Sequence, residues 1–227
     1  MGNDFTLVAI DMPFHGQTEW NEGLLFTVND LINIIDEIRS IHHATNRSTF
    51  SLLGYSMGGR IALQLLEKIP ANIERIVLVA PDGLHKNFWY TVSTQTILGN
   101  KLFSYTMRKP GKMFATMKLA EKTKLLHQSI IKVAHYYLDE PDERIKLYER
   151  WTTMRTFKPH LLKLKKIISE HKIPVRFLFG RYDGIILSKR SDIFKDDVQN
   201  VYIAVIDAGH RMMQEKYADV IAKMFYQ

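Results

Sequence analysis

Gly54-Tyr-Ser-Met-Gly58 constrains this chain more than any other segment, because of what stands on either side of it. Before it, Thr49-Phe-Ser-Leu-Leu53 is a short apolar run with β character. After it, Ile61, Leu65 and Ile69 recur at helical spacing until Pro70. A strand that turns into a helix within a few residues leaves little room for side chains. Glycine at 54 and 58 removes those expected to collide two positions either side of Ser56, and Gly59 lets the helix lie close to its strand. The middle residue must then take a strained backbone conformation that lifts its hydroxyl above the end of the strand. A glycine-rich turn without chemistry is the other reading of the same letters.

Similar apolar runs at Phe5–Ile10, Ile73–Ala80, Val175–Phe179 and Val201–Ile206 read as strands. Helical spacing appears over about 27–43, near 189–197 and around 212–226. Strands alternating with helices imply a parallel sheet covered on both faces, the doubly wound α/β class. One long block, 84–172, breaks the alternation. Its Met, Leu and Ile positions recur every three or four residues with Lys between them, and Pro141 with Asp142 and Glu143 marks a helix start. The expected organisation is a core of 1–83 and 173–227 with 84–172 inserted as a helical lid.

Composition narrows the chemistry. At 46% hydrophobic and 24% charged over 227 residues the chain is globular rather than disordered or fibrous. It has no cysteine, which excludes disulfides, thiolate zinc sites and cysteine nucleophiles and points to a reducing, cytoplasmic address. No apolar run comes near the roughly 20 residues that span a bilayer. No His-Glu-x-x-His or carboxylate cluster suggests a metal. The net charge of +7 is unevenly placed: residues 84–172 carry 18 Lys+Arg against 7 Asp+Glu, and the rest 13 against 17. Such a block either attracts anionic substrates or surfaces, or is simply a solvated helical face. No nucleic-acid recognition motif accompanies it, and Phe88, Trp89 and Tyr90 fit a pocket wall equally well.

A serine hydroxyl is a weak nucleophile until a base takes its proton and an acid orients that base. For a serine on such a turn the expected chain order is serine, acid, histidine. Of nine histidines, His210 alone follows the last strand, in Asp207-Ala-Gly-His210. Asp183, in Gly180-Arg-Tyr-Asp-Gly184, follows the strand before it; Asp82, after the third strand, is its rival. Met57 supplies a backbone N–H at the helix start, aimed where an oxyanion would form.

These segments together, "DMPFHGQT", "GYSMGGRIAL", "GRYDGI" and "DAGH", resemble the α/β-hydrolase superfamily over nearly the whole chain. The resemblance implies Ser56 as nucleophile, His210 as general base and acid, Asp183 as its orienter and Met57 as an oxyanion donor. It implies a cofactor-free, metal-free enzyme acting on a small acyl substrate, with an anionic one favoured by the basic block. Phe14, standing where the family commonly has the first Gly of Gly-His-Gly, is assigned to the pocket with Tyr55 and Trp89; Asp11 reads as a loop anchor. Ester cleavage through an acyl-enzyme is the leading reaction. A carbon–carbon hydrolase, a lyase like the menaquinone-pathway synthases and a non-catalytic binding protein are alternatives. The family carries earlier strands and a His-Gly loop, whereas only four residues precede Phe5 here. The expectation is therefore an N-terminally shortened hydrolase of impaired turnover, with Phe5–Ile10 either pairing directly with Thr49–Leu53 or leaving a gap beside it.

Overall fold

The computed structural model describes residues 5–42, 49–122, 138–195 and 198–226, with backbone only over 117–122. The ends of the helices expected to 43 and 197, and the middle of the basic block, lie outside them. Among the described residues, four strands form one parallel sheet in chain order: β1 (Phe50–Tyr55), β2 (Ile73–Val79), β3 (Val175–Gly180) and β4 (Val201–Ile206). Helix α1 (Val28–Ile41) opens with a reciprocal cap between Thr27 and Asp30, and α2 (Met57–Lys68) springs directly from β1. Helices α3 (Phe88–Gln95), α4 (Ile97–Arg108), α5 (Gly111–Lys122), α6 (Pro141–Thr153) and α7 (Leu161–His171) stand between β2 and β3. A short helix, α8 (Ala218–Lys223), closes the chain. The final helix is thus shorter than its apolar spacing predicts, and the segment expected over 189–197 is a 3₁₀ helix at Ser188–Phe194.

The central strands read as unbroken apolar runs because both faces are covered. Ile76, Val77, Leu78 and Val79 of β2 are wholly buried, as are Val175, Phe177, Leu178 and Phe179 of β3. Each such side chain contributes about 1.5–3 kcal/mol of transfer free energy. Phe177 stacks on Phe179 and meets Phe194 of the 3₁₀ segment, ring centres 5.5 Å apart.

The expected strand at Phe5–Ile10 is not one. Those residues carry no ladder, Leu7 and Val8 are exposed, and among the described strands β1 pairs with β2 alone. Apolar, β-branched composition favours a pleated surface only where a neighbouring strand supplies the hydrogen bonds. Direct pairing of this segment with Thr49–Leu53 therefore does not occur, and among the described strands β1 stands at one end of the order.

The chain divides into two compact units, 1–26 with 86–156 and 27–85 with 157–227. This differs from the division at 84 and 172 in two places. Helix α7 belongs with the sheet, since it packs on α2 and buries Leu164, Ile167 and Ile168. Residues up to 26 belong with the helices: Phe26 N–H donates to Thr153 O (3.1 Å) and Arg150 Nε to Phe14 O (2.7 Å). In that helical unit α4 packs between α3 and α6. Rings of Tyr90, Phe103, Tyr148 and Trp151 make edge and tilted contacts there, and buried Arg144 donates to the carbonyls of Met107, Leu138 and Asp139.

Candidate active site

At the end of β1 the chain reverses into α2 through Ser56, whose φ of 50° and ψ of −116° lie where side chains are rarely tolerated. Such a conformation costs on the order of 1–3 kcal/mol and persists only if its surroundings impose it. They do so on both sides of the residue. Ser56 N–H donates to Val79 O (3.1 Å), and its carbonyl accepts from Gly59 N–H (2.9 Å) and Asp82 N–H (2.8 Å).

The glycines around it divide by what a methyl group would meet. On Gly54 it would lie 2.7 Å from Gly58 O and 2.8 Å from Gly59 Cα; on Gly59, 2.4 Å from Pro81 Cβ. At Gly58 nothing lies within 4 Å, so the expected collision there is absent. Gly59 thus admits the loop after β2 rather than its own strand. Gly54→Ala and Gly59→Ala should each lower stability by about 1–3 kcal/mol through overpacking against backbone or a rigid ring. Gly58→Ala, inside a helix, should be neutral or gain up to about 1 kcal/mol. Urea midpoints of the three variants check this contrast.

The two other chemistry-bearing loops leave the carboxyl ends of β3 and β4, beside the turn after β1. Asp183 sits in the turn after β3, its side chain fully buried. Its Oδ1 accepts from the N–H groups of Ile185 (2.8 Å) and Ile186 (3.0 Å), which leaves Oδ2 for His210 Nδ1 at 2.8 Å. On the opposite side of the imidazole, Nε2 stands 3.1 Å from Ser56 Oγ. With the proton on Nδ1 held by the carboxylate, Nε2 is an acceptor and the serine hydroxyl is its donor. Met57 is the first residue of α2, so its N–H has no partner carbonyl within the helix.

Asp82, the rival acid, is engaged elsewhere: it accepts from Arg60 and from Gly83 N–H (2.7 Å). Arg60 is accordingly buried rather than turned to solvent. Two contributors escaped the sequence reading. A methyl on Gly180 would meet Ala208 O at 2.4 Å and Gly209 O at 2.6 Å, so glycine there lets the histidine loop press against the end of β3. Tyr55, assigned to the pocket, donates its hydroxyl to His210 O (3.0 Å) and sets its ring 5.4 Å from the imidazole. The glycine was visible before Asp183; what approaches it was not.

The remaining assigned residues lie in the helical unit. Phe14 is half-buried in a left-handed conformation (φ 63°), its carbonyl held by Arg150; Trp89 is exposed and lies edge-on to Phe88. Asp11 packs over Gly16 and accepts from Thr18 through its carbonyl, as a loop anchor should. Burial, with the nearby Arg150 charge, holds His15 below the usual imidazole value. A depression of about 360 Å³ lined by Arg176, Asn200 and Tyr202 lies at the amino ends of β3 and β4, the opposite end of the sheet from Ser56. Burial beside Arg75 lowers the Arg176 pKa. No group of residues able to hold a metal occurs among those described, and no described helix is long and apolar enough to cross a membrane.

A parallel sheet with this turn at the end of one strand is the α/β-hydrolase fold, and solved structures share it. An esterase from Thermogutta terrifontis matches 93% of this chain and 75% of its own, with a TM-score of 0.60 at 18% identity. A monoacylglycerol lipase from Paleococcus ferrophilus matches 95% and 81%, with a TM-score of 0.52 at 17% identity. The family model described as serine aminopeptidase, S33, matches residues 1–216, and the chain belongs to that family of hydrolases. The rat (Rattus norvegicus) monoacylglycerol lipase ABHD6 is 23% identical over 223 residues, 92% of this chain. The match takes in only 63% of that relative's length. An uncharacterised hydrolase of Bacillus subtilis, YugF, is 23% identical across 93% of this chain and 76% of its own.

Proposed function

We propose that the chain is a cofactor-independent serine hydrolase cleaving a carboxylic ester through an acyl-enzyme. The observation that carries this reading is the continuous relay from Ser56 Oγ through the His210 imidazole to the buried Asp183 carboxylate, at 3.1 and 2.8 Å. In the first half-reaction Ser56 Oγ forms a bond to the substrate carbonyl carbon while its proton passes to His210 Nε2. The carbonyl oxygen becomes an oxyanion facing the Met57 N–H. Collapse breaks the carbon–oxygen bond to the leaving alcohol, which takes the proton from His210. In the second half water repeats the sequence, releasing the acid and restoring the serine.

Asp183 stays ionised throughout and stabilises the imidazolium. The names carried by the similar lipases put glycerol monoesters first among candidate substrates. The test is a screen of monoacylglycerols, p-nitrophenyl esters of increasing acyl length, aminoacyl anilides and vinylogous diketones. Ester cleavage with an early burst of alcohol is expected. Turnover confined to the anilides or the diketones, or none with any of them, overturns the reading.

A further inference from the structure

One exposed face of the helical unit is at once basic and apolar. Residues 84–120 hold six Lys or Arg and neither Asp nor Glu. On α4 and its C-cap, Leu98, Lys101, Leu102, Tyr105, Arg108 and Lys109 share one side at helical spacing, and all are exposed. The opposite side of α4 faces its own unit: Met107 is buried, and Phe103 meets Tyr148 and Trp151. A surface helix ordinarily turns polar residues outward. Here the large apolar residues of α3 and α4, Phe88, Trp89, Ile97, Leu98, Leu102 and Tyr105, are between 54% and 80% exposed.

We propose that this face docks on an anionic membrane surface, lying in the interface without crossing it. The pairing of features is what such binding needs. Aliphatic and aromatic side chains enter the headgroup–acyl boundary, with tryptophan and tyrosine at headgroup depth. Lysine and arginine beside them extend long stems along the apolar surface and keep their charges among lipid phosphates. Charge complementarity selects the occupant. A second copy of the chain would set the same unbalanced positive charges face to face. Nucleic acid would satisfy the charges and could stack on Phe88, Trp89 and Tyr105, yet it would leave the exposed aliphatic side chains of Ile97, Leu98 and Leu102 without an apolar partner. The proposal does not depend on the reaction proposed for Ser56.

Cosedimentation of the full chain with phosphatidylcholine vesicles, alone or with about 30% phosphatidylserine, tests it. Binding to the phosphatidylserine vesicles is expected, weakening as salt rises because charges beyond about 8–10 Å are screened. Trp89 emission should shift to the blue on binding, and Trp89→Phe should remove that shift. Leu98→Glu with Leu102→Glu, and separately Lys101→Gln with Lys109→Gln, should each lower partitioning roughly tenfold or more. Both pairs lie on the surface and should leave the urea midpoint unchanged. Wild-type partitioning in the lysine pair, equal binding to both vesicle types, or binding to RNA or to a second copy without vesicle binding overturns the proposal.

Discussion

Ser56→Ala should abolish labelling by a fluorophosphonate probe and lower ester turnover by roughly 10⁴-fold or more. The reason lies in the geometry of one turn. The hydroxyl is held at a positive φ, above the end of β1, with an imidazole nitrogen 3.1 Å away. A phosphonate reacts only with a hydroxyl whose proton has somewhere to go. No other serine among the described residues combines strained presentation with a base held by a buried acid, so the adduct should map to Ser56. His210→Ala should cost about as much, and the double variant scarcely more, because members of such a relay act as a unit. Mass spectrometry of the labelled protein and initial rates on the best ester of the screen decide the matter. An adduct elsewhere, or undiminished turnover in Ser56→Ala, would sink the assignment.

How far the site could be read in advance depended on whether its cause was local. The turn at Ser56 was legible because strand, glycines and helix are contiguous in sequence. Asp183 and His210 were legible as residues just past the ends of strands, and the sheet brings those ends together in the order β1 to β4. What remained hidden is set by distant partners. Gly58 shares the motif with Gly54, yet only Gly54 meets backbone, a difference fixed by how α2 leaves the strand. Gly180 matters because of Ala208 and Gly209, nearly thirty residues away. Nothing in the sequence around Arg60 names its partner; the loop after β2 places Asp82 against it. Phe5–Ile10 failed for the same reason in reverse: its composition suits a strand, but β1 gives it no ladder. Tyr55 occupies a pocket-like position in sequence, and only the fold shows its hydroxyl tied to the backbone of His210.

Asp183→Asn should cost nearly as much turnover as loss of the serine, about 10⁴-fold, while leaving the fold intact. The carboxylate accepts three hydrogen bonds: two from the Ile185 and Ile186 N–H groups on Oδ1 and one from His210 on Oδ2. An asparagine of the same shape has one accepting oxygen. With that oxygen on the two backbone N–H groups, its NH₂ faces the imidazole and forces Nδ1 to become the acceptor. The ring proton then moves to Nε2, opposite Ser56 Oγ, and the base can no longer take the serine proton. Asp82→Asn reports the reverse. It weakens the contact to the buried Arg60 guanidinium and should lower stability by about 1–3 kcal/mol, because a buried charge loses its counter-charge. Its backbone N–H still supports Ser56, so the folded fraction should turn over within about tenfold of wild type. Rates and urea midpoints measured on both variants separate the two roles. An active Asp183→Asn, or an inactive but fully stable Asp82→Asn, would show that the acid of this site stands after β2 and not after β3.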